Sequence, residues 1–243
     1  MITQQNNFYQ TDTQSFEQAN VVRTFMTSVF SWMFLALAVT AVTAYLFASD
    51  PSLTQMLFSA ETGSLNLLGW IVTLAPFAFV MLIYGGVSRF SFGTLSLLLM
   101  VFSILMGMSL SFILHVYTNS SIFLTFAVTA GTFGIMAFMG YTTKTDLSKF
   151  GSLMMMGLVG IVIASIANFF MRSSSLDYII SFIGVLVFTG LTAYDIQKLK
   201  RIAAGQQYGQ LPLNKLVILG ALNLYLDFIN LFLFLLRFLG ARK

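Results

Sequence analysis

The chain has 243 residues, of which 58% are hydrophobic and 8% charged, against about 25% charged in ordinary soluble domains. This balance excludes a water-soluble domain, and the net charge of +4 comes from Lys and Arg too scattered to form a nucleic-acid patch. There is no cysteine, so disulfides and thiolate metal sites are excluded as well.

In chain order, the first 25 residues are rich in Gln, Asn and Thr and carry no positive cluster ahead of an apolar core. They do not read as a cleavable signal peptide. They read as a polar cytoplasmic segment (1–25) ahead of a membrane domain (26–243), with the first helix starting after Arg23 as a retained anchor. A window of about 19 residues finds apolar runs at Ser28–Ala48, Leu67–Val87, Phe92–Leu114, Ile122–Tyr141, Leu153–Met171, Tyr178–Tyr194 and Leu213–Leu239. Each approaches the roughly 20 residues that span a bilayer as a helix. The expected fold is an all-α polytopic membrane protein with seven transmembrane helices.

The connections are mostly short. Ser49 to Asn66, with Pro51, Gly63 and several Ser, reads as an amphipathic excursion, and Gly205 to Pro212 as a flexible turn region. Pro76 lies mid-helix, where neighbours satisfy the carbonyl it frees. Small residues at four-residue spacing, Ser103, Gly107 and Ser111, and again Gly160 and Ala164 followed by Asn168, mark faces for close helix packing.

Orientation follows from the basic residues. Arg23, Arg89, Lys144, Lys149, Lys198, Lys200, Arg201 and Lys215 fall on the side of the N-terminus, and the opposite loops hold only Arg172. The positive-inside rule therefore puts the N-terminus in the cytoplasm. Arg237, Arg242 and Lys243 lie outside if the seventh segment crosses, and inside if it dips and returns. Its 27 residues, about 40 Å of helix, favour crossing.

Most of the eight acidic residues lie in the polar head or between apolar runs. Asp195 and Asp227 do not. A carboxylate at bilayer depth costs roughly 2.5 to 3.5 kcal/mol on insertion scales, and such a group commonly faces a bundle interior and marks a proton or ion path. On the seventh segment Asn223, Asp227 and Asn230 share one helical face on an otherwise apolar helix, which suits the centre of a bundle. On the sixth, Thr189, Thr192 and Asp195 are spaced by three.

Two carboxylates in contact at low dielectric do not readily both ionise, and would share one proton. Losing it sets like charges side by side, a repulsion on the order of 4 kcal/mol at 4 Å and an effective dielectric of 20. The pair would be a pH-sensitive latch. The alternative is structural: a neutral Asp bridging helices, or Asp195 neutralised by Lys198 three residues on. The two acids also differ in apparent depth, since Asp227 is twelve residues beyond Lys215. Arg89 offers either a guanidinium latch for a carboxylate or a plain interfacial anchor. His115, alone at a helix end, is given no role.

At these residues the chain resembles the Bax inhibitor-1 family of membrane proteins, specifically its bacterial branch. The resemblance runs from about Val22 to the C-terminus. It is carried by Ser88-Arg89-Phe90-Ser91, by the stretch from Gly140 to Gly160, by FTGLTAYDIQKLK from Phe188 and by LYLDFINLFLFLLRFLG from Leu224. It implies six helices surrounding a central seventh and a pH-dependent calcium leak. It also implies paired aspartates at Asp195 and Asp227 and an arginine latch at Arg89.

The function so expected is a calcium-permeable, pH-sensitive leak channel in the bacterial inner membrane. Asp195 and Asp227 would act as pH sensor and weak, transient calcium site, with Asn223, Asn230 and Thr192 as supporting polar groups. Calcium prefers six to eight oxygens, more than these residues supply, so passage suits them better than capture. No enzymatic activity, cofactor or nucleic-acid partner is expected, and the partners are the lipid bilayer, calcium and protons, with room for a membrane-protein partner. The alternatives are an intramembrane aspartyl protease, for which Tyr194-Asp195 is similar to presenilin-like enzymes but Leu226-Asp227-Phe228 is not, and a non-transporting regulator of a membrane protease.

Overall fold

A computed structural model describes residues 2–59, 64–205 and 211–243, with side chains from residue 17 onward. The described residues form eight helices: α1 (Ile2–Ser49), α2 (Pro51–Leu57), α3 (Leu67–Gly86), α4 (Phe92–Val116), α5 (Asn119–Thr142), α6 (Ser148–Met171), α7 (Ser174–Ala203) and α8 (Leu213–Leu239). Seven of them are long and apolar enough to cross a membrane. The chain is a multi-pass, all-α membrane protein.

Two boundaries differ from the sequence reading. α1 does not begin after Arg23 but runs unbroken through it, because Val22, Phe25 and Met26 are already buried and Gln and Glu tolerate helix well. The excursion after α1 contains α2, which Asp50 caps by accepting from the Ser52 N–H and which has Pro51 at its first position. Phe58 and Leu65 then pair across an isolated bridge. The turn region expected from Gly205 to Pro212 lies mostly outside the described residues, as do the side chains of residues 2–16.

α8 is the centre. In its most apolar stretch 72% of residues are buried, against 6% in α6. Tyr225, Leu222, Ile218 and Leu231 have no exposed surface. The α8 core packs on α1, α4, α5 and α7, with Tyr225 edge-on to Phe102 at 5.3 Å and Phe228 against Phe126 and Phe133, each at 5.5 Å. Thr40 in α1 donates to the Ser103 carbonyl at 3.0 Å and pairs with the Tyr225 hydroxyl at 2.8 Å, tying three helices together where no water competes. α3 packs on α4 and α2, and α6 on α7; α3 and α6 share no extended contact. The ring around α8 is therefore open between them.

Of the two small-residue faces, one packs throughout. Ser103, Gly107 and Ser111 are buried, and a Cβ at Gly107 would lie 2.6 Å from the Thr40 carbonyl oxygen. A Cβ at Gly160 would meet nothing within 4 Å. Of that second face only Gly160 itself is exposed: Ala164 packs against the core, on the side that also carries Gly151 and Gly157 against Tyr194 and Val187.

α8 crosses the whole bundle. At its start Lys215 Nζ donates to the carbonyls of Val87 (3.1 Å) and Ser88 (3.4 Å), satisfying the C-terminal end of α3. At its other end the tail pairs with the α4–α5 connection: the Thr118 N–H donates to Ala241 and the Lys243 N–H to Val116. The last segment thus runs as one unbroken helix from one end of the bundle to the other, as the crossing alternative requires. Arg201 meets Asp146 at 2.7 Å at the first end, and Arg237 meets Asp177 at 3.3 Å at the second.

Candidate functional site: the acidic face between α7 and α8

α7 and α8 pack antiparallel, and their contacts fix the register. A Cβ at Gly220 would abut Leu199 and one at Gly184 would abut Phe234, while the Phe188 and Phe234 rings stack at 5.7 Å. In that register residue 195 falls opposite the α8 turn from Asn223 to Asp227. The two carboxyl groups line the same cavity and lie close enough to act on one another. The difference in depth expected from the flanking lysines vanishes because α8 starts further out. Its first two turns, with Leu216, Val217 and Ile218 buried, bring Asn223 and Asp227 level with Asp195.

Asp227 is 6% exposed, and its Oδ2 receives no hydrogen bond from an N–H or ordinary hydroxyl donor among the described residues. Two ionised carboxylates have no proton to donate to each other, so Asp195 could serve as a donor to Asp227 only if the pair held a proton. Lys198 lies close enough to act electrostatically on Asp195. Among the described residues, the charged group that acts on Asp227 is Asp195.

Both acids line one cavity of about 500 Å³, together with Asn223 and Asn230. The polar stripe on α8 thus forms its floor. Asn230 Nδ2 donates to the Leu226 carbonyl at 2.8 Å, leaving Asn230 Oδ1 toward the remaining space. A second cavity of about 200 Å³ shares Asp195 and Asn223 and reaches Lys198 and Leu211 at the basic end of the bundle.

Two residues expected at the site stand apart from it. Thr192 is fully buried, but its hydroxyl donates back to the Phe188 carbonyl at 2.8 Å and it lines neither cavity. Arg89 sits in the turn after α3, its N–H bonded to the Gly86 carbonyl at 2.9 Å; its side chain is exposed and forms no ion pair among the described residues. The group from this part of the chain that does reach the site is Tyr84, whose hydroxyl donates to Asn223 Oδ1. The available signal for Tyr84 was weak: one hydroxyl in an otherwise apolar stretch, one turn before the helix ends.

Among the described residues no three His, Cys, Asp or Glu side chains converge on a point. The site offers two carboxyl groups and one unengaged amide oxygen. A calcium ion there would keep most of its water.

The family model described as Inhibitor of apoptosis-promoting Bax1 matches residues 22–243. The chain is 46% identical over 225 residues to the inner membrane protein YbhL of Escherichia coli K12, covering 91% of this chain and 93% of that protein. It is 42% identical over 231 residues to an uncharacterised protein of Borreliella burgdorferi, covering 95% and 97% of the two chains. An uncharacterised protein of Rickettsia prowazekii is 42% identical over 225 residues, 91% of each chain. With a family match across nine-tenths of its length and bacterial relatives of its own size, the chain belongs to the Bax inhibitor-1 family of multi-pass membrane proteins.

Proposed function

We propose that the protein is a pH-sensitive cation leak channel of the bacterial inner membrane, permeable to calcium, whose closed state has Asp195 and Asp227 sharing one proton. The observation that carries this reading is the meeting of the two acids on the polar floor of a cavity, with Asp227 Oδ2 lacking any other donor. Raising the pH removes the shared proton. Two adjacent carboxylates then repel by about 4 kcal/mol at an effective dielectric of 20, enough to shift a two-state packing of α7 and α8 from mostly closed to mostly open.

The ion's route is the two cavities that share Asp195 and Asn223. The Tyr84–Asn223 hydrogen bond lies between them. Calcium is cargo, held transiently by the carboxylates with most of its hydration shell. The protein performs no covalent chemistry and uses no cofactor; its partners are lipid, calcium and protons. The relative named as an inner membrane protein supports the location, and the excess of Lys and Arg near the α3–α4, α5–α6 and α7–α8 connections supports a cytoplasmic location for that end and the N-terminus.

Calcium flux into dye-loaded proteoliposomes, followed across pH, tests the proposal. Wild-type protein is expected to leak more as pH rises. Asp195→Asn and Asp227→Asn each remove one ionisable partner and flatten that dependence. Wild-type pH dependence retained in both variants would sink the mechanism.

A further inference from the structure

The walls of the cavity above Asp195 and Asp227 are chemically unlike its floor. Leu158, Ile161, Val162 and Ile166 of α6, with Phe77 of α3 and Phe234 of α8, surround the carboxyl pair with hydrocarbon. An ion path alone gives no reason for such walls, because a hydrated cation gains nothing from them. The cavity also reaches the outer surface: Phe77 is 72% exposed, and Val162 and Ile166 are more than half exposed, on either side of the gap where α3 and α6 do not pack. That gap faces lipid in a membrane-spanning bundle.

We propose that this cavity binds a membrane-dissolved amphiphilic amine. Its ammonium pairs with Asp227 at the floor, and its hydrocarbon body lies between α3 and α6 against Leu158, Val162, Ile166 and Phe234. The charge assignment follows from the neighbours. Lys198 already acts on Asp195, whereas Asp227 is buried, and an ammonium, with three donors, would take the place of the shared proton at the oxygen that lacks an N–H or hydroxyl donor among the described residues. The volume of about 500 Å³ falls within the usual range of small-molecule sites, which pair apolar walls with a few polar anchors. Tyr84 holds Asn223, so the amide oxygen left for a second contact is that of Asn230. Binding stands whether or not the protein leaks ions. Only its consequence, that an occupied cavity blocks the flux, rests on the function proposed above.

The test uses the full chain in lipid nanodiscs and a dodecylamine carrying a mid-chain photoactivatable diazirine, with labelled residues mapped by peptide mass spectrometry. Labelling of the cavity face of α6 and α8 is expected to saturate, to be displaced by dodecylamine and to resist dodecanol of the same chain length. Asp227→Asn should weaken it by about tenfold or more, the share of one buried charge-assisted hydrogen bond. Labelling of Phe169 and Phe170, more than three-quarters exposed on α6, reports simple partitioning and should not change. Val162→Trp fills the cavity without touching a carboxylate and should also abolish cavity labelling, which decides the matter if the Asp227 variant does not fold. Unsaturable labelling, equal competition by dodecanol, or wild-type labelling in both variants would overturn the site. Saturable labelling in a protein that leaks no calcium would refute the leak and leave the site standing; flux without labelling would do the reverse.

Discussion

Asp227 and Asp195 share a helix pair and a cavity, yet their surroundings differ. Asp195 has Lys198 for company; Asp227 is enclosed on α8, one of its oxygens without an N–H or hydroxyl donor among the described residues. Both were legible as anomalies because a charge inside a long apolar run is rare and costly. Their partner Tyr84 was not, since a tyrosine in an apolar segment carries no spacing signal that separates a packed ring from a hydrogen-bonding one. Arg89 was attractive for the opposite reason, as a lone guanidinium near a helix end, but its side chain stays exposed. Outside the membrane, Asp146 accepts from the Ser148 hydroxyl and N–H and from Arg201, which hold its carboxyl down to about 2. A depressed pKa stabilises the fold above the ordinary carboxylate value near 4, and that contribution fades as pH falls through about 2. Asp146→Asn should therefore lower the Tm slightly at pH 7, with the difference from wild type shrinking as pH falls toward and below about 2, by thermal unfolding in detergent. The pair is exposed, so the shift should be small.

At the scale of elements, hydropathy located every spanning helix, and the ends were where it erred. α1 extends past Arg23, where Val22 is already buried, which a mean hydropathy does not register. The apparent depth mismatch between the acids had the same origin: flanking lysines are a poor ruler when the first two turns of α8 pack against the bundle. Small-residue spacing was a better guide on α4 than on α6, because the motif says that backbones can approach closely and not which helix faces lipid. Gly107→Ala should therefore destabilise by about 1 to 3 kcal/mol, the usual cost of overpacking. Gly160→Ala should stay within about 0.5 kcal/mol of wild type, as surface changes do. Equal losses in both, measured by unfolding in bicelles, would mean that the α1–α4 contact is looser than the Thr40–Gly107 approach requires.

For the whole molecule, the two ends of the bundle are distinguished by what they hold: Arg201, Asp146 and Lys215 at one, the C-terminal tail and the Arg237–Asp177 pair at the other. A chain without cysteine makes this easy to test in intact spheroplasts. Lys149→Cys should be shielded from an impermeant thiol reagent and Arg242→Cys labelled by it; labelling of both, or the reverse pattern, would contradict the proposed orientation. The enclosed α8 turns its polar stripe toward α7, toward Tyr84 of α3 and toward the gap between α3 and α6. The proposed function rests on one carboxyl pair. Infrared titration of the reconstituted protein reads that pair most directly. The account predicts one protonated carboxyl band at neutral pH, absent from the Asp195→Asn, Asp227→Asn double variant and lost from wild type over the same pH range in which calcium flux rises. A band that survives in the double variant, or that is absent from wild type throughout, would contradict it.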